Sequence, residues 1–518
     1  MATGKALDGK PYAGNPHVRF DEGEVAPTAT SRRGSLLYKV SRRSFIKGFS
    51  AASFLASGGC ASILSSRSPN SRLCHACVGT ANMANYDLKA FLANPGVQIT
   101  ALCDVDAEFL AAAKKLVPDA RVYTDWREML AAEGDRLDSV NVSTPDHTHA
   151  PIVASALRAG KNVYSQKPLC KFLDEAQLLK RLAAESGKVT QLGTQLAAGP
   201  TDRLCIKILE DGVIGPVRRV MMFSTRNGSM RIPRFVPKTG PVPSTLDWDK
   251  WLGPAPWRAY SETYHPTKWR IFTDFGTGWV GDLCIHIINS PWMGLGCGNA
   301  APLSVRAEVD ASALSDPVCR GTWPLYSHIV WDMPGVRGSG MKPFALEWFS
   351  GLSEQPGTPE NFLPPGICRE IAAKSLLGKL PLEGRVIEGE LGYMLVPHGF
   401  GDAKDPVGLP TVVMKDGGTP PLPALDPAPS HYDEYVLRCR EGGKARSDFS
   451  KVISLMEAVI MGGVAERIPN VVHRWDAAAR TFDSAAANAV VKSSYRKGWA
   501  LEGLGGNEHQ HAEFPRGF

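Results

Sequence analysis

Between Val140 and Pro168 the chain sets two polar strings at the ends of two short apolar runs. Val140-Asn141-Val142 leads into Ser143-Thr144-Pro145-Asp146-His147-Thr148-His149, and Asn162-Val163-Tyr164 leads into Ser165-Gln166-Lys167-Pro168. Both runs have the length of short buried strands, and Pro151 to Gly160 between them reads as a helix closed by a glycine. Strand, helix, strand in that order predicts a βαβ unit and therefore a parallel sheet. Polar groups beyond the carboxyl ends of such strands face the crevice where open α/β sheets bind ligands.

A chain of 518 residues is too long for one core, so two domains with extensions are expected. Leu73 to Gly79 reads as a strand, Tyr86 to Asn94 as a helix and Val97 to Asp104 as a second strand. Ala107 to Val117, Trp126 to Ala132 and Asp174 to Ser186 continue a helical alternation. The fold class is α/β, with a Rossmann-type nucleotide domain over residues 72–195. Beyond Gln195 the texture changes. Strand-like runs such as Val217 to Ser224 alternate with Pro/Gly-rich excursions at Arg231 to Pro243 and Gly401 to Pro429. This predicts an α+β domain over residues 196–500, built on a large, mostly antiparallel sheet, with a tail at 501–518. His431 to Arg440 and Val452 to Arg467 read as helices.

A net charge of +6 on this length, with no dense Lys/Arg stripe, argues against a nucleic-acid partner. The 11 cysteines are odd in number and scattered, unlike a disulfide framework. Cys74 and Cys77 have C-x-x-C spacing but lie in the first strand, where positions three apart point to opposite faces. Residues 1–70 read as a leader and linker. Ser41-Arg42-Arg43-Ser44-Phe45-Ile46-Lys47 precedes a mildly apolar, small-residue stretch from Gly48 to Ser62, the pattern of a twin-arginine export signal. Such a signal implies the twin-arginine machinery as a partner and a periplasmic or otherwise exported location. Cys60 offers a site for a lipid tether, although the leucine usual three positions before such a cysteine is absent. No other segment approaches the ~20 apolar residues of a spanning helix.

Gly79-Thr80-Ala81-Asn82-Met83-Ala84 follows the first strand and keeps only the first glycine of a dinucleotide fingerprint. Ala81 adds a methyl group where backbone approaches the pyrophosphate, so the loop is expected to sit differently there. Asp104 closes the second strand 25 residues after Gly79, where a carboxylate grips a ribose 2′-hydroxyl and repels a 2′-phosphate. That favours NAD over NADP.

Asp282 and His286 are four apart, which on a helix puts both on one face, ~5 to 6 Å apart at Cβ. Oxidising a carbinol needs a base within reach of the hydroxyl proton, and His286 supplies one that Asp282 could orient. Lys167 could stabilise the developing charge on the oxygen. Standing alone, Asp-x-x-x-His is more often a surface helix pair. His147, His149 and His286 lack carboxylate or cysteine partners at ligand spacing, so no metal is expected. Between Trp248 and Trp279 nine of 32 residues are aromatic, against 8% in the chain. Most of these would pack a core, while Tyr264, His265, Trp269 and Arg270 are the candidates to face a carbohydrate.

The Thr144-Pro145-x-x-x-His149 and Gln166-Lys167-Pro168 strings, Asp282 to His286 and the closing Tyr495-Arg496-Lys497-Gly498-Trp499 resemble the glucose-fructose oxidoreductase, inositol dehydrogenase and rhizopine-catabolism family (Gfo/Idh/MocA), which has Glu-Lys-Pro at the second string. The resemblance runs from about Leu73 to Trp499. It implies NAD held by Gly79, Thr80, Ala81, Asn82, Met83, Asp104, Thr144, Pro145, Gln166 and Lys167, with His149 beside the nicotinamide. It also implies Lys167, Asp282 and His286 as catalytic groups, late helices that brace the two domains, and a homo-oligomer. The expected activity is NAD-dependent oxidation of a sugar or cyclitol CH–OH group. For an exported protein it further implies a tightly bound cofactor, because no free nicotinamide pool exists outside the cytoplasm. Two alternatives stand beside it. One is a redox-neutral, NAD-dependent glycoside hydrolase or lyase on the same fold. The other is a non-catalytic sugar-binding relative, suggested by Ala81 and Ala84 in the loop.

Overall fold

The structure, a computed structural model, describes residues 72–226, 237–310, 321–352, 358–399 and 406–504, with Ser315, Gly401, Glu508 and His509. The twin-arginine string, Cys60 and most of the tail lie outside the described residues.

Six short strands form the first sheet: β1 (Leu73–Val78), β2 (Val97–Cys103), β3 (Arg121–Tyr123), β4 (Ser139–Val142), β5 (Asn162–Ser165) and β6 (Thr190–Leu192). Their spatial order, β3-β2-β1-β4-β5-β6, with all pairs parallel, is the doubly wound Rossmann arrangement. The order reverses between β1 and β4, so the crevice opens where Gly79 and Ser143 leave neighbouring strands. Helices α1 (Met83–Ala93), α2 (Ala107–Leu116), α3 (Trp126–Glu133), α4 (Asp146–Arg158) and α5 (Leu173–Ser186) make the connections. Helix α4 begins five residues before the expected Pro151. Pro145 occupies the N-cap, Asp146 complements the helix dipole, and Pro151 forfeits one bond inside the helix without ending it. His147 and His149 are therefore helical.

The second sheet has nine strands, ordered β13-β12-β11-β7-β10-β9-β8-β14-β15. They are β7 (Val217–Ser224), β8 (Ser304–Val309), β9 (Ser327–Met333), β10 (Phe344–Ser350), β11 (Glu383–Gly389), β12 (Gly392–Pro397), β13 (Thr411–Met414), β14 (His473–Asp476) and β15 (Thr481–Phe482). All neighbours are antiparallel except β7 and β10. The helix Phe449–Arg467 is apolar on nearly all sides because it is enclosed between this sheet and α5. It and the helix His431–Glu441 also clasp the β6 edge of the first sheet. Leu192 N–H donates to the Ser447 carbonyl (2.9 Å), Thr190 Oγ1 donates to Asp448 (2.8 Å) and Gln191 Nε2 to the His431 carbonyl (2.8 Å). One apolar core runs through both sheets, from Ala76 in β1 to Trp331 and Val459.

Asp87 of α1 is fully buried and ties this frame to the crevice. It accepts from Ser143 Oγ beyond β4, Gln166 Nε2 beyond β5 and Tyr432 Oη. Burial pushes its carboxyl up to about 6 against the pull of those three donors. A folded-state value above the unfolded 3.8 means that folding takes up a proton between these limits. Its stabilising contribution is complete below the unfolded value and is lost as pH rises through about 6. Asp87→Asn, whose amide the two hydroxyls and a flipped Gln166 can satisfy, is expected to remove about 3 kcal/mol of that pH-dependent stability change. Urea unfolding of both proteins across this pH range checks it.

Candidate active site

Gly79 opens the turn after β1 with φ +87°, and a Cβ there would lie 2.4 Å from the Ser143 carbonyl oxygen. The left-handed turn and the close approach both require glycine. One residue after Ala81, which stands at the fingerprint's second glycine, Asn82 adopts φ +52° and caps α1 without a side-chain bond. Asp104 steadies the loop from β2: Oδ2 accepts from Thr80 N–H and Thr80 Oγ1, both at 2.8 Å, and Oδ1 from Asp106 N–H at 3.0 Å. Among the described residues the backbone N–H groups of Ala81, Asn82 and Met83 have no protein partner, and all three residues are at least partly exposed. Unpaired amides at a helix start, under a turn that only glycine fits, suit a pyrophosphate. Gly79→Ala is expected to weaken NAD binding roughly tenfold or more, since strain of this kind costs ~1 to 3 kcal/mol. Equilibrium dialysis against labelled NAD measures it.

The two polar strings are locked together by His149. Its Nδ1 lies 2.6 Å from the Pro168 carbonyl and its Nε2 2.7 Å from the Thr144 carbonyl, and the ring is buried. Burial holds its pKa below the ordinary value, although Asp146 and the two carbonyls pull the other way. Lying between these two carbonyls, His149 bridges the two strings. Thr144 Oγ1 is engaged by Thr148, Pro145 caps α4, and the Gln166 amide is spent on Asp87. Asp146 reaches the second domain, accepting from Thr277 Oγ1 at 2.8 Å.

Lys167 leaves the β5 end and crosses to the second domain, where Nζ donates to Asp282 Oδ1 (2.8 Å) and to the Asp282 carbonyl. Asp282 belongs to a π-helix, Val280–Cys284, rather than to the regular helix that its spacing from His286 suggests. Asp282 pairs with Lys167 and with Arg270, whose Nε is 3.5 Å from Oδ1, and its charge also acts on His286. Gly281 makes the wide turn possible, because a Cβ there would be 2.1 Å from Thr277 Oγ1. His286 still shares the electrostatics of the group. Burial, Lys167 and His398 hold its pKa well below the ordinary value, and its Nδ1 is buried with no partner.

The four aromatic-segment candidates separate. Tyr264 (5% exposed) and Trp269 (3%) are packed in a cluster with Trp248, Trp251, Phe272 and Phe275, with little surface left for a ligand. His265 stacks on Phe109, with centroids 5.4 Å apart, and lies 3.7 Å from Asp106. That puts it beside the end of β2, on the nucleotide side. Arg270 alone joins Asp282, its guanidinium lying over the Trp269 ring. The sequence reading missed Asp87, His398, and the glycine spacing of Gly276, Gly278 and Gly281, whose closeness before Asp282 was the available signal. A cavity of about 340 Å³ lined by His147, Lys171, Glu175, Arg467 and Tyr495 lies behind the strings and contains none of Lys167, Asp282 or His286.

Residues 74–194 match the family model described as an oxidoreductase family, NAD-binding Rossmann fold, and residues 207–326 match that family's C-terminal alpha/beta domain. Over these two stretches the chain is similar to the Gfo/Idh/MocA oxidoreductase family. It is similar to the D-apiose dehydrogenase of Paraburkholderia graminis, with 31% identity over 140 residues, 27% of this chain and 37% of that protein. It is also similar to a glycosyl hydrolase family 109 protein of Saccharopolyspora erythraea, with 33% identity over 151 residues, 27% of this chain and 32% of that protein. The matches thus span about a third of those relatives' lengths. In fold it is similar to an inositol dehydrogenase homolog from Azotobacter vinelandii complexed with NAD+, with TM-score 0.55 and 14% identity over 78% of this chain and 98% of that one.

Proposed function

We propose that the protein oxidises a CH–OH group of a carbohydrate or cyclitol with NAD held by the first domain. The observation that carries this reading is the meeting of Lys167, Asp282, Arg270 and His286 beyond the β5 end, two strands from the Gly79 turn. NAD, when bound, accepts the hydride. The chain supplies the rest. His286, kept neutral by burial, takes the hydroxyl proton. Lys167 offers an ammonium to the oxygen as charge develops, and Asp282 fixes where that ammonium points. Asp104 at the ribose position supports NAD rather than NADP.

The leader supports export of a folded protein that carries its cofactor, and family resemblance supports a homo-oligomer. A redox-neutral glycoside cleavage is a second reading, favoured by the similarity to the glycosyl hydrolase family 109 protein. In that cycle, oxidation acidifies the neighbouring C–H, the substituent is eliminated, water adds and the hydride returns.

The test is to purify the exported form without added cofactor, denature it and identify released nucleotide by mass spectrometry. Stoichiometric NAD is the expected result, and turnover of sugar panels with or without net NADH then separates the two readings. A protein that arrives empty and fails to bind added NAD sinks both.

A further inference from the structure

We propose that His398, supplied by the second sheet, relays the proton of the reacting hydroxyl away from His286. The inference rests on the oxidoreductase reading and adds a residue to it.

His398 directly follows β12, and its N–H donates to the Glu383 carbonyl (3.0 Å), which fixes it at the start of β11. Its ring centroid lies 5.7 Å from that of His286, with the planes tilted by 41°, close enough for direct exchange or for one bridging water. Among the described residues neither ring makes a hydrogen bond, whereas every cation around the pair is already engaged. Lys167 is held by Asp282, Arg385 by Asp202 and Arg226 by Glu383 (3.2 Å). His431, the remaining group facing His286, has its Nε2 on the Leu192 carbonyl. The two imidazoles are thus the uncommitted acid–base capacity at this end of the crevice.

Their surroundings suit transfer rather than storage of a proton. Burial together with Arg385, Arg226 and Lys167 pushes His398 down to about 3, and His286 is also held low. Two imidazolium ions beside Lys167 would repel one another, so the pair carries one proton at a time. The substrate O–H bond breaks as an N–H forms on His286. That N–H breaks as one forms on His398, which releases the proton to water, while the electron pair of the carbinol C–H leaves as hydride to the nicotinamide.

The test uses the NAD-loaded full chain and, as probes, a panel of aldoses, methyl glycosides and inositols, with reduced nicotinamide followed in a single turnover. His398→Gln is expected to slow reduction ~10- to 100-fold with KM and NAD content unchanged, and added imidazole should restore much of the rate. The solvent deuterium isotope effect should also rise. A His398→Gln protein with wild-type rate and pH profile overturns the relay, as does a slow, folded, NAD-loaded one that imidazole leaves slow. If the wild type arrives empty and fails to bind added NAD, the oxidoreductase reading has failed and the relay falls with it.

Discussion

Replacing Lys167 by methionine is expected to lower kcat/KM for carbohydrate oxidation by about a thousandfold, within the ~10²- to 10⁴-fold range of a lost acid–base or charge-stabilising group. Methionine keeps an unbranched, flexible stem and removes the ammonium, leaving Asp282 with Arg270 at 3.5 Å as its remaining cation. Stability should change little, because Asp282 keeps Arg270 at 3.5 Å when the ammonium is removed. Initial rates, thermal midpoint and NAD content measured on one preparation decide it. A rate within threefold of wild type would remove Lys167 from the mechanism.

Asp202→Ala is expected to destabilise the protein by ~3 to 5 kcal/mol, the usual penalty for leaving one member of a buried ion pair without its counter-charge. Arg385 of β11 is fully buried, its Nη2 donating to Asp202 Oδ1 and Ser290 Oγ. Asp202 belongs to the helix Pro200–Glu210, and Ser290 to the short helix that follows His286. The substitution should therefore loosen the catalytic segment as well as the sheet. Urea unfolding measures the loss. The double variant Asp202→Leu/Arg385→Met, which removes both charges, should regain most of it. If it does not, packing rather than charge holds this junction.

The first sheet was legible because its signals are local. Apolar strand runs, the Gly79 turn and the glycine after α4 each act within a few residues, and the strand order follows from right-handed crossovers. Pro151 misled for a local reason too. Proline usually marks a helix start, and here the helix absorbs it one and a half turns in. The spacing of Asp282 and His286 gave no sign that Asp282 lies in a π-helix. The density of aromatics after Trp248 carried no information on which rings face inward. The same rings can line a pocket or fill a cluster, and for Tyr264 and Trp269 packing took them inside.

The sequence by itself determined that a parallel α/β nucleotide domain is followed by a second, mostly antiparallel sheet. Residues near one another in the chain encode turns, caps and strand runs directly. The tertiary structure alone decided which side chains meet. Asp87 gathers donors from β4, β5 and a helix about 345 residues away, and Lys167 finds Asp282 across 115 residues. His398 comes to His286 from another sheet. Such meetings depend on how two sheets dock through one apolar core, a property of the whole packing that no window of sequence contains.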